Sequence, residues 1–392
     1  MFIIFFPTEN KGTICNWGDR MKKFAILFLI ASIMLVSIKQ MSAEDDIEPN
    51  IHLRILQTTD LHANMLGYDY EKKKKVIDYG LARTASLIKE ARKDAANSLL
   101  FDSGDLLVGN ALDEYTLKGK FEFTDDIHPV YKAMNTLNYD AATVGNHEFN
   151  YGLDFLNKSL KGANFPYVNA NIYIDKPFAA DELNYFKPFT ILKRTFTDSS
   201  GQMHNLKVGV IGFITPITAA WDKKYFKGNL KIENIKKSAE HFIPIMKEKG
   251  ADIIVALVHA GLEADEGLEE KQGNSVLDLS RVEGIDAILY GHSHSLFPSQ
   301  GAKVIEGIDQ TAGQIYGIPA VQAGYWGNHL GMIDLTLEKK NGKWTVSQSQ
   351  AAVKPLIRTV HNKKIPIVES DPIIEQVMRS DHQATLKYMK KK

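Results

Sequence analysis

Short apolar runs with strand character recur along the chain, separated by stretches in which apolar residues return at helical spacing, and this alternation predicts an α/β fold. Residues 51–59 (IHLRILQTT) are β-rich. Leu81, Ala85, Ile88 and Ala91 then share one face of a helix over 81–96, and residues 98–101 return to strand character. A helix is expected over 128–137, a buried strand over 141–144 and a further helix over 153–160. Strands follow over 165–173, 185–194 and 206–213, the last two separated by the polar turn Asp198-Ser199-Ser200-Gly201. A helix over 235–247 leads to residues 252–258 (DIIVALV), whose almost uninterrupted apolar character predicts a strand buried on both faces. Residues 285–290, 304–307, 318–324, 331–338 and 343–350 read as later strands, and an amphipathic helix over 373–389 carries the chain to a basic end. No long repeat or low-complexity segment interrupts this order, and no strong boundary falls before about residue 355.

Composition narrows the class. The 392 residues are 44% hydrophobic and 24% charged, as in a soluble globular protein. Residues 1–43 stand apart: Met21-Lys22-Lys23 precedes an apolar run over 24–38, a basic segment and core of signal-peptide length, so the protein is expected to be exported. Ala43 supplies a small residue for cleavage, and residues 1–20 read as an upstream extension. Without residues 1–43 the chain keeps 42 basic against 45 acidic side chains, which argues against a polynucleotide-binding surface. Its one cysteine, Cys15, lies in that leader, so a metal held by the mature protein must use oxygen and nitrogen ligands.

Five of the strand-like runs end on such ligands. The first runs out into Asp60-Leu61-His62, where residues two apart point the same way and can share one cation. Asp105 follows the second run in a glycine turn, as a turn residue, a helix cap or a carboxylate bridging two cations. Asn146 and His147 stand in GNHEFNYG (145–152); the amide can hold a cation without adding charge while the adjacent imidazole faces the substrate. His259 ends DIIVALVH, and His292 and His294 follow Gly291, where no wide side chain stands in the way. Each of these taken alone also has a plain structural reading, as turn chemistry or surface histidine. Ligands gather at the carboxyl ends of strands in α/β sheets, so one sheet could deliver all five loops to one place. Seven oxygen or nitrogen donors exceed what one cation takes from a protein and suit two, roughly 3.5–4 Å apart. The imidazole content favours zinc, manganese, iron or cobalt over magnesium alone. Asn169 and Asn171 read as partners of buried backbone, and Trp221 as a packing residue in a connection.

TTDLHANM (58–65), DSGDLLVGN (102–110), GNHEFNYGLDFL (145–156), PYVNANI (166–172), ALVHAGLEAD (256–265), YGHSHSLFP (290–298) and AGYWGNHLG (323–331) together resemble the calcineurin-like metallophosphoesterases of the 5′-nucleotidase family, in the family's order, from about residue 51 to the end. The resemblance implies a two-sheet α/β/β/α sandwich. It also implies that Asp60, His62 and His294 hold one metal, that Asn146, His259 and His292 hold the other, and that Asp105 bridges them. His147 would contact the phosphate or the leaving oxygen, making His147 and Asn150 the catalytic candidates. The position of Asn150 is commonly Asp in 5′-nucleotidases, and Asn150 with the GHSH ending is similar to the branch that opens 2′,3′-cyclic nucleotides and dephosphorylates 3′-nucleotides in the periplasm. The implied substrate is therefore a small nucleotide. A protein phosphatase disfavoured by the export segment, a 5′-nucleotidase-like phosphatase and a catalytically silent metal-binding product are the alternatives. The domains expected are a leader over 1–43, a catalytic domain over 51–355, and a linker helix over 356–392 leading to a C-terminal nucleotide-binding domain that the sequence lacks.

Overall fold

The computed structural model describes residues 50–118, 127–175, 183–299, 301 and 305–391, so the expected leader and residue 304 lie outside the described residues, and 305–307 hold a turn in place of the strand expected over 304–307. Its main elements in chain order are β1 (Ile51–Thr58), α1 (Leu81–Lys93), β2 (Asn97–Asp102), α2 (Ala111–Lys118), α3 (Pro129–Asn135), β3 (Ala141–Ala142), α4 (Leu153–Leu160), β4 (Phe189–Thr197), β5 (Met203–Ile214), α5 (Ile235–Glu248), β6 (Ile253–His259), β7 (Ala287–Tyr290), β8 (Ile318–Ala323), β9 (His329–Lys340), β10 (Lys343–Pro355) and α6 (Pro372–Met389). One sheet runs β10-β9-β1-β2-β3, with β1, β2 and β3 mutually parallel. The other runs from Ile308–Asp309 and Gln314–Ile315 through β8-β7-β6-β5-β4, and its β5 to β8 are parallel. The α/β class with two large sheets agrees with the expected sandwich.

The strand period explains the layering. Along β6, Ile253, Val255 and Leu257 join Ile51, Leu53 and Ile55 of β1 in a shared core, while Ile254, Ala256 and Val258 pack with Phe242, Ile243 and Met246 of α5. Successive side chains point to opposite faces, so a strand covered on both sides must be apolar at every position. The same logic puts Leu99 and Phe101 of β2 in the shared core and Leu100 under the helices. The run over 165–173 departs from expectation, because only Ile172–Ile174 forms a strand and residues 167 and 168 make isolated bridges. Its asparagines account for this: Asn169 Oδ1 accepts from the Asn171 and Ile172 amides, and Asn171 is bonded to both the amide and the carbonyl of Ile214.

The segment expected as a linker packs onto the domain. Asp371 caps α6 by accepting from the Ile373 and Ile374 amides, ahead of Pro372 in the first turn. Further along, Asp381 pairs with Lys132 at 3.2 Å and His382 Nδ1 lies 2.9 Å from the Tyr70 hydroxyl. No described helix is long and apolar enough to cross a membrane.

One buried histidine links this core to pH. His128 caps α3, its Nδ1 accepting from the Val130 amide, and packs edge-on against Phe155. Burial, with the charge of Lys132, pushes its pKa down to about 3. The unfolded chain therefore takes up a proton below about pH 6.5 that the folded chain refuses, so stability falls as pH drops through that window. Denaturant unfolding at pH 7 and 4.5 is expected to show His128→Asn, which keeps a capping oxygen, losing less stability than the parent by on the order of 2 kcal/mol. Equal losses in the two proteins would remove His128 from the account.

Candidate metal centre

Three ligand-bearing loops leave one sheet and two leave the other, so the single sheet expected to deliver all five is replaced by the matching ends of two. Asp60 and His62 follow β1, Asp105 follows β2, and Asn146 and His147 follow β3. His259 is the last residue of β6, and His292 and His294 follow β7. The loops are sewn together by backbone: the Asp60 amide donates to Gly104, His62 to Asp105, Ala63 to Leu106, and Gly291 to Val258. Glu148, completely buried, fastens two of them, its carboxylate accepting from the amides of Asp105, Leu106, Leu107 and Gly145.

Asp60, His62, Asp105, His292 and His294 all have positive φ, between 46° and 87°. A non-glycine residue there costs roughly 1–2 kcal/mol, and such strain persists only where the surroundings over-determine it. Gly145 and Gly291 are glycines for a different reason. A Cβ on Gly145 would meet Asp105 Oδ1 at 2.3 Å, and one on Gly291 would meet Thr59 Oγ1 at 2.1 Å.

The candidate ligand atoms face one another at short range. His62 Nδ1 lies 2.5 Å from the Val108 carbonyl and therefore carries the proton, which leaves the lone pair on Nε2; that Nε2 points at His294 Nε2, 3.1 Å away. His292 gives Nε2–H to Asp265 Oδ1 at 3.0 Å and turns its Nδ1 to the Asn146 amide oxygen, 2.9 Å away. His259 gives Nδ1–H to the Ser103 carbonyl at 2.8 Å; its Nε2 is buried, 3.0 Å from Asp105 Oδ2, yet lacks the alignment of a hydrogen bond. Imidazole nitrogens and side-chain oxygens set face to face at this range are the donor set that a cation between them would take. Among the described residues, two groups of histidine and carboxylate side chains can hold one: Asp60, His62 and His294, and Asp60, Asp105 and His259, each with donor atoms within 4.8 Å of one another. Asp60 stands in both, and Asp105 Oδ2 is 3.9 Å from His62 Nε2, so either carboxylate lies in bridging reach.

The field has the matching sign. Burial opposes a charged His259 ring, but Asp105 and Asp60 outweigh it and lift its pKa to about 10. Burial likewise works to raise Asp105, and the rings of His259, His62 and His147 overcome it and hold the carboxyl well below the usual range. For Asp265 burial is again the largest influence, and bonds from His292 and Thr215 reverse it to a net lowering.

The seven expected ligands thus converge, and His147 and Asn150 stand beside them in an open cleft of about 410 Å³ that Asp105, Asn146, His292 and His294 also line. His147 Nδ1 is 2.6 Å from Asn150 Oδ1, and Asn150 Nδ2 donates to Asp222 Oδ2 at 2.8 Å. Trp221 corrects its sequence reading: it is 54% exposed at the cleft, 5.8 Å from the His292 ring, and does not pack in the core. Glu148, Asp265 and Asp222 escaped sequence reasoning as site residues. Glu148 lies inside GNHEFNYG and Asp265 ends ALVHAGLEAD, so their motifs were visible but their acceptor roles were not. Asp222 had no signal.

Comparison with known proteins agrees with this geometry. The profile of the family described as calcineurin-like phosphoesterase matches residues 53–296. The chain is 42% identical over 368 residues to the 2′,3′-cyclic-nucleotide 2′-phosphodiesterase/3′-nucleotidase of Yersinia enterocolitica, covering 93% of this chain and 54% of that protein. It is also 42% identical to the trifunctional nucleotide phosphoesterase YfkN of Bacillus subtilis, over 93% of this chain and 24% of that one. A crystal structure of calcineurin-like phosphoesterase YfkN superposes with a TM-score of 0.80, covering 87% of this chain and all of that one. The chain therefore spans about half the length of the Yersinia relative.

Proposed function

Because the chain belongs to the calcineurin-like phosphoesterase family, we propose that it is a dinuclear-metal phosphoesterase hydrolysing 2′,3′-cyclic nucleotides to 3′-nucleotides, and 3′-nucleotides to nucleoside and phosphate. The observation that carries this reading is the facing of imidazole and carbonyl acceptors across one cleft, with His147 beside them. The likeness to the Yersinia protein over 93% of the chain supports the substrate class.

Asp60, His62, Asp105, Asn146, His259, His292 and His294 would hold two divalent cations of the zinc, manganese, iron or cobalt kind, whose Lewis acidity activates water and takes up charge on the phosphoryl oxygens. The chain's own residues do the rest. Val108, Ser103 and Asp265 fix which nitrogen of His62, His259 and His292 carries the proton and so which faces the cleft. His147, when its ring carries a proton on each nitrogen, gives the Nε2 proton to the departing ribose oxygen, the 2′ oxygen in the first passage and the 3′ oxygen in the second, and keeps the Nδ1 proton on Asn150. Asn150 holds its Nδ1. The basic segment and apolar run before residue 43 support export to the periplasm.

The test is a panel of 2′,3′-cyclic AMP, 3′-AMP, 5′-AMP and p-nitrophenyl phosphate. Turnover of the first two is expected with manganese or zinc, to be abolished by chelation and restored by readdition. No metal-dependent turnover of any of the four refutes the reading, and hydrolysis of 5′-AMP alone moves the protein to a 5′-nucleotidase.

A further inference from the structure

We infer that Asp222 is the positioning residue for His147, acting through Asn150 as the far end of a three-membered hydrogen-bonded chain. The inference rests on the phosphoesterase reading for its consequence in turnover, and on local chemistry for the chain itself.

Asp222 joins two short helices, Thr218–Trp221 and Lys223–Phe226, where a carboxylate would ordinarily cap the second. It does not: the side chain makes no capping bond, and only its backbone carbonyl serves the helix, accepting from Tyr225 at 2.8 Å. The carboxylate instead turns to the cleft, 7% exposed, with Oδ2 2.8 Å from Asn150 Nδ2. A helix junction has been given up as a capping site in favour of a contact 72 positions away.

The polarity of the chain follows from the donor and acceptor inventory. An ionised carboxylate can only accept, so the Asn150 amide must turn its NH₂ towards Asp222. Its carbonyl oxygen then faces His147 Nδ1 at 2.6 Å, which must be an N–H. The neutral ring is thereby held as the Nδ1–H tautomer with Nε2 free towards the cleft, and the carbonyl also accepts from the protonated ring. An asparagine alone cannot impose this, because an amide with no fixed partner presents either end. Asp222 thus supplies, one residue removed, the carboxylate that Asn150 is not.

Replacing Asp222 by Asn keeps the shape and removes the acceptor-only end, so the Asn150 amide is free to turn over, donate to Nδ1 and shift the proton to Nε2. Two readouts test this. In ¹⁵N spectra of the imidazole nitrogens at pH 8, with His147 assigned by its loss in His147→Gln, the parent is expected to show Nδ1–H and Asp222→Asn a substantial Nε2–H population. An unchanged tautomer in Asp222→Asn overturns the inference whether or not the protein proves to be a phosphoesterase. In turnover with manganese, Asp222→Asn is expected to lower kcat on 3′-AMP by roughly 10–100-fold, as loss of a residue orienting a functional group does, with KM little changed. Loss on p-nitrophenyl phosphate, whose leaving group needs no proton, should stay within about threefold. The pair Asn150→Asp with Asp222→Asn puts the carboxylate directly against His147 and should recover most of the loss on 3′-AMP. Equal losses on both substrates, no loss, or no recovery in the double variant would each reject a positioning role. Absence of turnover in the parent is a failure of the phosphoesterase reading alone, and the tautomer measurement still decides the inference.

Discussion

Asp105→Asn is expected to reduce bound metal from two ions to one or fewer and to lower kcat/KM on 2′,3′-cyclic AMP by at least about 1,000-fold, a loss of roughly 4 kcal/mol in the transition state. The substitution keeps the size of the side chain and an oxygen to accept the His147 amide, which bonds Asp105 Oδ1 at 2.8 Å. Only the charge goes. Two unit charges about 4 Å apart repel by about 4 kcal/mol at the effective dielectric of a protein site, and two divalent ions by about four times that, so a carboxylate reaching both does more than its share of ligation. Asp105 is 1% exposed, with Oδ2 3.0 Å from His259 Nε2 and 3.9 Å from His62 Nε2, so solvent screens its charge little. Asp60, which stands in both ligand groups, is the one other carboxylate of those groups, and it already accepts from Thr59 Oγ1 and the His292 amide. Metal analysis by mass spectrometry, run beside turnover, checks the prediction. A variant holding two ions and working within tenfold of the parent would show that Asp105 is dispensable and that Asp60 bridges alone.

The sequence carried more of this centre than of the architecture beneath it. The candidate ligands were legible because each follows a recognisable strand: the alternation in 51–58 and the solid apolar run before His259 mark where the chain leaves the core for the cleft. Which sheet a strand enters is not a local property. β1 alternates and β6 is apolar throughout, yet neither pattern names a sheet, and only their neighbours, β9 and β2 in one case and β5 and β7 in the other, put them in different layers. The run over 165–173 misled because Asn169 and Asn171 spend their amides on backbone that a strand would have paired. Strain was equally hidden, since Asp60, His62 and His294 take a left-handed backbone that nothing in their identity announces. Asp222 and Asp265 act through bonds to Asn150 and His292, residues 72 and 27 positions away, and a contact of that span leaves no period or motif.

His147→Ala is expected to separate metal binding from leaving-group chemistry. The side chain of His147 touches Asn150, and its ring lies 5.1 Å from that of His62. The bond it sends to Asp105 comes from its backbone amide, which alanine retains. The variant should therefore hold two metal ions, as the parent does, with an unchanged fold. Turnover of 3′-AMP should fall by roughly 100–10,000-fold, the span over which a positioned general acid contributes. A ribose alkoxide is a strongly basic leaving group and needs a proton as the bond to phosphorus breaks. An aryl oxide does not, so p-nitrophenyl phosphate should lose far less. Loss of metal in the alanine variant would make His147 a ligand and reverse the division between it and Asn146. Equal losses on both substrates would mean that His147 serves the phosphoryl group itself, binding its oxygens through Nε2, and in that event the proton for the ribose must come from solvent through the open side of the cleft.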